Sequence, residues 1–506
     1  MKNKESIKSI LLVTGTLLFN YIFWDEYLGI NLLLFSLFII GTTLTLNKNA
    51  LKSQTALYSA AGILITALAV VYHNSTMAKF TNIVFTLLLI GFTNQSLLRS
   101  TLYALPTSIA NYFTIPKSIF SSLQSLGLKT SSLKLIWRYT KLTLVPIVFF
   151  VLFYLIFQIA NPVFKELSDD IMISISDWFS VLFENISFLR ILFLIWGLSI
   201  VGWVLYQSDI KYFVNAEILY SDFIKRIRIG KRKSNVQLAT PKKPGNPLAL
   251  KNEYRSALIL MAMVNTLLLV VNIIDINWIW LNFEFTEDIN LSQFVHEGTY
   301  FLILSILLSM GIMLYFFRGN QNFFIGRQKL LIAAGLWIAQ NIILVISVGV
   351  RNYHYISHYG LAYKRIGVIV FLGLTVFGLV TLFLKMKNKK SAFLLFRQNS
   401  WAVCGAFVFM SLFNWDGIIM NHNISHPEKN HIDVRFLLSL SDKTLPILNE
   451  HKEILEARND DYYSIDYVQR FDDQVLNLLN KKNSTTWLSW SLLDDKAYQY
   501  FINKNN

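Results

Sequence analysis

Residues 366–384 read IGVIVFLGLTVFGLVTLFL, nineteen positions without a charge, preceded by Lys364-Arg365. A hydrocarbon core about 30 Å thick needs roughly twenty apolar residues in a helix, so this stretch reads as a transmembrane span. Ten further windows of the same kind recur along the chain: Ile7–Phe23, Gly29–Leu46, Thr55–Tyr72, Asn82–Leu98, Leu142–Ala160, Phe188–Tyr206, Tyr254–Ile274, Gly298–Phe317, Leu330–Val350 and Trp401–Met420. The expected fold class is all-α, a polytopic transmembrane bundle of about eleven spans with a small helical polar domain behind it. The domain boundary is placed at 420, giving 1–420 and 421–506.

Composition agrees. Of 506 residues, 54% are hydrophobic and 15% are charged, where a soluble chain carries roughly a quarter. The single cysteine, Cys404, excludes an intrachain disulfide and a cysteine zinc site. Lys2, Lys4 and Lys8 precede the first apolar run as they would in a signal peptide, but Asn20-Tyr21-Ile22-Phe23-Trp24 is bulky where a signal peptidase needs small residues. The run is read as an uncleaved first helix.

Cation placement sets the orientation. Assigning alternate loops to one side puts roughly 30 of the 46 Lys and Arg on the side of the N-terminus, about six on the other and the remainder in the tail. The most basic loop, 207–252, holds Lys225-Arg226 and Lys231-Arg232-Lys233, and its neighbours across the membrane carry Glu166, Asp169, Asp170, Asp275 and Glu287. The N-terminus is therefore expected in the cytoplasm and the tail outside. A loop from Arg351 to Arg365 carries three cations on the outer side, against the trend. Topogenic charge explains the basic loop, so no nucleic acid partner is expected. The expected partners are the lipid bilayer and other membrane proteins. Residues 116–134 and 171–188 read as segments lying on the membrane surface or as loops packed on the bundle.

The tail changes character, with helical periodicity at Leu445, Leu448, Ile454 and Leu455, then Val475, Leu478 and Leu479. Asp442 is placed to cap the first of these helices.

The spans are poor in carboxylates, which ion-driven transporters keep at depth. Their polar residues are amides, including Asn94, Asn265, Asn272, Gln340, Asn341 and Asn414, suited to gluing helices together. Phosphate loops, His-Glu-x-x-His helices and Gly-x-Ser-x-Gly elbows are missing, and no cofactor is indicated. All eight histidines fall on the outer side of this topology. His354/His358 and His422/His426 have the spacing of a chelating or titrating pair, against which stand Pro427 and the aromatic setting of His354. His296-Glu297, where an outer loop meets the eighth span, fits acid–base work or a helix cap. Tyr359, Lys364 and Arg365 fit an anionic headgroup or plain snorkelling, and Asn265 is a substrate-facing amide candidate.

Asn161-Pro162-Val163-Phe164, Asn265 with Asp275, Val295-His296-Glu297-Gly298, Tyr359-Gly360-Leu361 followed by Arg365, and Phe436-Leu437-Leu438-Ser439-Leu440-Ser441-Asp442 occur in that order. Together they resemble the domain-of-unknown-function 4173 family of bacterial multi-pass membrane proteins over roughly 140–460, with Ala362 standing where that pattern has Thr. The resemblance implies a bacterial inner-membrane location and brings no activity, catalytic residue or cofactor with it. Three readings stay open: a non-catalytic sensing or scaffold protein, a transporter or flippase for a lipid-linked or amphipathic substrate, and a membrane-embedded enzyme at the outer face.

Overall fold

The structure, a computed structural model, describes residues 2–47, 52–119, 146, 149–150, 152–182, 187–208, 210–224, 247–282, 291–425, 433–456 and 466–505. These residues are helical, with no strand among them. The principal helices are α1 (Lys2–Phe23), α2 (Ile30–Leu46), α3 (Gln54–His73), α4 (Thr76–Asn94), α5 (Thr101–Tyr112), α6 (Pro162–Leu182) and α7 (Phe188–Leu205). They continue with α8 (Pro247–Asp275), α9 (Leu291–Phe316), α10 (Arg327–Tyr359), α11 (Tyr363–Lys387), α12 (Ala392–Ser411), α13 (Trp415–Ile424), α14 (Tyr467–Asn483) and α15 (Leu492–Asn505). Among the described residues, eight helices are long and apolar enough to cross a membrane, and Ile30–Leu46 and Tyr300–Phe316 are shorter apolar helices. The expected span Leu142–Ala160 lies partly outside the described residues.

Polar turns separate several of these helices, where a hydroxyl or amide at the start satisfies an orphan amide. Ser53 accepts from Ala56, Ser75 from Ala78, Ser187 from Arg190 and Ser391 from Leu394. Asn161 accepts from the amides of Val163 and Phe164, so the Asn161-Pro162 box is a helix start with proline in the first turn. Inside the spans, threonines close on their own helix. Thr16 donates to the Leu12 carbonyl, Thr66 to Gly62 and Thr93 to Leu89. No water is then needed to satisfy them.

Three boundaries differ from the sequence reading. The last span runs Ala392–Ser411 rather than Trp401–Met420, since Asn414 caps the separate helix α13. Arg397 and Asn399 disguise its first half: Arg397 pairs with Asp222 at 3.0 Å, and Asn399 donates to the Thr381 hydroxyl. The expected loop 351–365 is mostly helix, because α10 continues to Tyr359 and stops at Gly360, whose φ is +80°. Residues 171–182 continue α6. The surface segment at 120–134 and the cationic core of the basic loop, 225–246, lie outside the described residues.

Two compact units result. Unit 1 comprises 1–99, 103–214 and 480–495; unit 2 comprises 100–102, 215–479 and 496–506. In unit 1, α3 and α4 approach closely at Gly62, where a Cβ would meet the Phe85 ring at 2.1 Å. Small residues let membrane helices touch in this way. Residues 480–495 sit on the turn after α1. Ile30 donates to the Trp490 carbonyl at 3.0 Å, Tyr27 to the Ser489 hydroxyl at 2.8 Å and Asn74 to Asp494 at 2.8 Å.

In unit 2, α8, α9, α10 and α11 enclose a core containing Met261, Ile306, Trp337 and Leu379. A second core joins Ile366 and Ile419 to Leu437, Leu448, Phe471 and Phe501. Among its described residues the tail has five α-helices, and Asp442 begins a tight turn, Asp442–Thr444, ahead of Leu445–Glu450 rather than capping that helix with its side chain. Leu437, Leu448, Phe471 and Phe501 of the tail therefore share a core with Ile366 and Ile419 of the preceding helices.

Gly29 is the tightest point of the tail contact in unit 1: a Cβ there meets the Ser489 carbonyl carbon and oxygen and the Trp490 oxygen at 2.6 Å. Those atoms are backbone and cannot swing aside. Gly29→Val is expected to lift residues 480–495 and to cost about 1–3 kcal/mol, as overpacking does. Limited proteolysis should show new cleavage within 480–495, and wild-type resistance would contradict the contact.

Candidate functional site

The polar groups of unit 2 concentrate along α8 and α10 and then at the end of α10 where the tail begins. The two helices run parallel, and amides connect them. The Asn265 side chain donates to the Ala333 carbonyl at 3.1 Å and accepts from Gln340 at 2.8 Å. Asn272 donates to the Gln340 carbonyl at 3.2 Å. Asn272 Oδ1 and Gln340 Oε1 have no partner among the described residues, which acceptors tolerate better than donors do. Beyond Asp275 the helix widens into a π turn, Ile276–Leu281, which carries Trp280 to the Ser347 hydroxyl at 3.0 Å.

The next layer is ionic. Arg351 and Asp275 meet at 2.8 Å with both side chains more than nine-tenths buried. A buried pair of this kind is costly to break from one side, because the remaining charge is stranded. His354 lies beside it with Nε2 3.1 Å from the Ile279 carbonyl.

The turn 359–362 follows. Asn423 reads both faces of Leu361, accepting from its amide at 2.6 Å and donating to its carbonyl at 3.0 Å. A Cβ on Gly360 would collide with Asn423 Oδ1 at 2.5 Å, so glycine is needed there for space as well as for its φ. Arg365 turns back onto its own loop. Its guanidinium donates to the Tyr359 carbonyl at 2.8 Å and to that of Gly360, and it lies 4.3 Å from the Tyr355 ring centre. Asn352 donates to the Arg365 carbonyl at 3.1 Å.

The last layer is Asp416, in the first turn of α13, where a carboxylate also suits the helix dipole. Its carboxylate accepts from the Tyr363 hydroxyl and from Lys443 Nζ at 2.8 Å; the Lys443 side chain is 1% exposed. Burial pushes the Asp416 carboxyl up, but the Lys443 charge and the hydrogen bonds from Lys443 and Tyr363 outweigh it and hold the group below the usual carboxylate range. Lys443 follows Asp442 directly, so the Leu438-Ser439-Leu440-Ser441-Asp442 box delivers the lysine that closes this pair.

The sequence candidates are thereby placed. Asn265 is bound within the α8–α10 contact. Tyr359 and Arg365 belong to one turn, and Lys364 beside them is exposed. His354 and His358 both lie on α10; His358 packs edge-on against Tyr359 at 4.7 Å between ring centres. Among the described residues no three or more His, Cys, Asp or Glu side chains are grouped to hold a metal ion. His296 and Glu297 are in α9, with side chains outside the described residues, as are His426 and His431. Sequence reading missed Asp275–Arg351 and Asp416–Lys443 as pairs. Partners 76 and 27 positions apart carry no local spacing signal.

These helices define an all-α multi-pass membrane protein. The model of a domain of unknown function, DUF4153, matches residues 30–451, and the chain belongs to that family. This corrects the number 4173 suggested by the motif boxes, and the match begins well before residue 140, taking in α2 through α5. No curated protein and no solved structure matches the chain.

Lys443→Met strands Asp416 in a buried site and is expected to cost about 3–5 kcal/mol. The lowered Asp416 carboxyl also predicts a pH dependence. Its contribution is fully present above the unfolded-state value of about 4 and is lost as pH falls through the lower folded-state value. Thermal unfolding of wild type and Asp416→Asn should therefore differ by a constant amount between pH 5 and 8 and converge in strong acid. A gap that closes already near pH 6 would refute the assignment.

Proposed function

We propose that the chain is a non-catalytic sensing or scaffold protein of the bacterial inner membrane, its N-terminus in the cytoplasm and residues 421–506 on the opposite face. One observation carries this reading. The motif residues whose side chains are described are engaged in holding the protein's own end together: Asp275 with Arg351, Arg365 with its own turn, and Asp416 with Tyr363 and Lys443. A site built for turnover leaves acid, base or nucleophile facing a substrate space. Here the groups are closed on one another.

Orientation rests on the cation bias. It is supported by residues 480–495, which contact the turn after Phe23, at the opposite end of α1 from Lys2. Transport of an amphipathic substrate is the alternative that the polar α8–α10 contact leaves open, and an outer-face enzyme would have to use His296 and Glu297.

Complementation of a deletion strain separates these readings. A scaffold requires the Asp416–Lys443 closure and tolerates loss of the acid–base pair. His296→Ala with Glu297→Gln is expected to restore the wild-type phenotype, and Lys443→Met to fail although the protein inserts. Failure of the double variant, at normal abundance and with wild-type stability, would overturn the non-catalytic reading.

A further inference from the structure

A helix that crosses a bilayer carries its own ruler of depth, because the residue at its end marks where hydrocarbon gives way to headgroups. In unit 1 three such ends come together. α1 ends at Phe23 and the turn 24–29 leads into α2, α3 ends at His73, and α7 begins at Phe188. All three helices are long and apolar enough to cross. The end of α1 and the start of α7 lie at one level, since the Trp24 and Phe193 ring centres are 5.3 Å apart and the Arg190 guanidinium is 5.7 Å from the Trp24 ring centre.

Residues 480–495 lie across these ends. Glu26 accepts from the Thr486 amide at 3.2 Å, and the Tyr27 amide donates to the Ser489 hydroxyl at 2.8 Å. The Ile30 amide donates to the Trp490 carbonyl at 3.0 Å, and Asn74, which caps the end of α3, donates to Asp494 at 2.8 Å. Bonded both to the turn after α1 and to the end of α3, the segment runs along the membrane boundary and cannot stand away from it. Its short turn, Trp487–Ser489, sorts its side chains: Leu488 is 3% exposed and Trp487 is 60% exposed. Tyr27 is 53% exposed, and Lys481 Nζ lies 4.5 Å from its ring centre. An indole that exposed is poorly placed in bulk water. At headgroup depth it is well placed, with the ring against the chains and the N–H among polar groups, and a lysine stem reaches along apolar surface to the same level. Lipid surrounds the ends of spanning helices, so the spans themselves name the occupant at this depth.

We propose that residues 480–495 form a membrane-surface anchor, with Trp487 and Tyr27 set among the phospholipid headgroups at the ends of α1, α3 and α7. This part of the tail, which reads in the sequence as belonging to a polar domain, is held to the bilayer surface as well as to the helices. The anchor rests on the membrane-spanning fold and is independent of the scaffold reading.

The test uses the full-length protein with Cys404→Ala in vesicles of phosphatidylethanolamine and phosphatidylglycerol, carrying one nitroxide label at Trp487→Cys. Collisions of the label with oxygen, which concentrates in the bilayer, are compared with collisions with a water-soluble nickel chelate. Val13→Cys, at an exposed position midway along α1, supplies the hydrocarbon value, and a free label in buffer supplies the aqueous one. Trp487→Cys is expected to give an oxygen-to-nickel ratio several times that of the free label and below that of Val13→Cys. Tyr27→Cys is expected to report the same depth, and it leaves in place the backbone amide that bonds Ser489, so it keeps the measurement should Trp487→Cys loosen the segment. A ratio equal to that of the free label would put the segment in water, and one equal to that of Val13→Cys would put it in hydrocarbon. Loss of collisions with both reagents would mean that a protein surface covers it. Each of these three results would overturn the anchor.

Discussion

A polar atom inside hydrocarbon has no water to fall back on, and in this chain the choice of partners for such atoms decides what the helices do. Threonines bond to the turn beneath them, which keeps each span self-sufficient. Amides cannot do this with all their groups, so Asn265, Asn272 and Gln340 reach across from α8 to α10 and fix the two helices side by side. Charges are held further along still. Asp275 and Asp416 find Arg351 and Lys443 at the end of the bundle where the tail begins. The sequence of solutions, hydroxyl then amide then ion pair, follows how hard each group is to satisfy alone.

The ion pairs fix geometry more than they add stability. Replacing a buried pair by well-packed apolar residues is often neutral, while breaking it from one side is costly. Asp275–Arg351 and Asp416–Lys443 therefore act as registers. Arg351 pairs with Asp275 from the part of α10 where the sequence predicts a loop, and Lys443 pairs with Asp416 in the first turn of α13. Arg365 does the same over a shorter distance, tying the Gly360 turn to the start of α11.

Apolar runs alone made the helices legible, because nineteen uncharged residues in a row have few other fates. Their ends were less so. The first half of Ala392–Ser411 is disguised because Arg397 and Asn399 are polar, yet both have partners that the local sequence does not contain, Asp222 and Thr381. The same applies to the site. Asp275, Gly360, Arg365 and the Ser441-Asp442 box stand out as unusual residues in the sequence. That Asp275 meets Arg351, or that the residue following the box meets Asp416, depends on tertiary folding and leaves no spacing in the sequence. The same omission affects cations: a guanidinium aimed at lipid phosphate and one aimed at its own carbonyls, as Arg365 is, look identical in one dimension.

Glycine and the tail show how closure is reached without a large core. The helices after residue 433 are short apart from α14 and α15, and a separate domain of that size would be marginal. Its apolar residues instead share a core with Ile366 and Ile419, which belong to the preceding helices. Gly360 permits the backbone of its turn to lie against Asn423, and Gly29 permits that of its own to lie against Ser489 and Trp490. A side chain at either position would hold the backbones apart and open hydrogen bonds that water would then have to satisfy. The tail is ordered through what it touches, so the stability of each contact sets how far a bound lipid, a change in pH or a neighbouring protein can act on it.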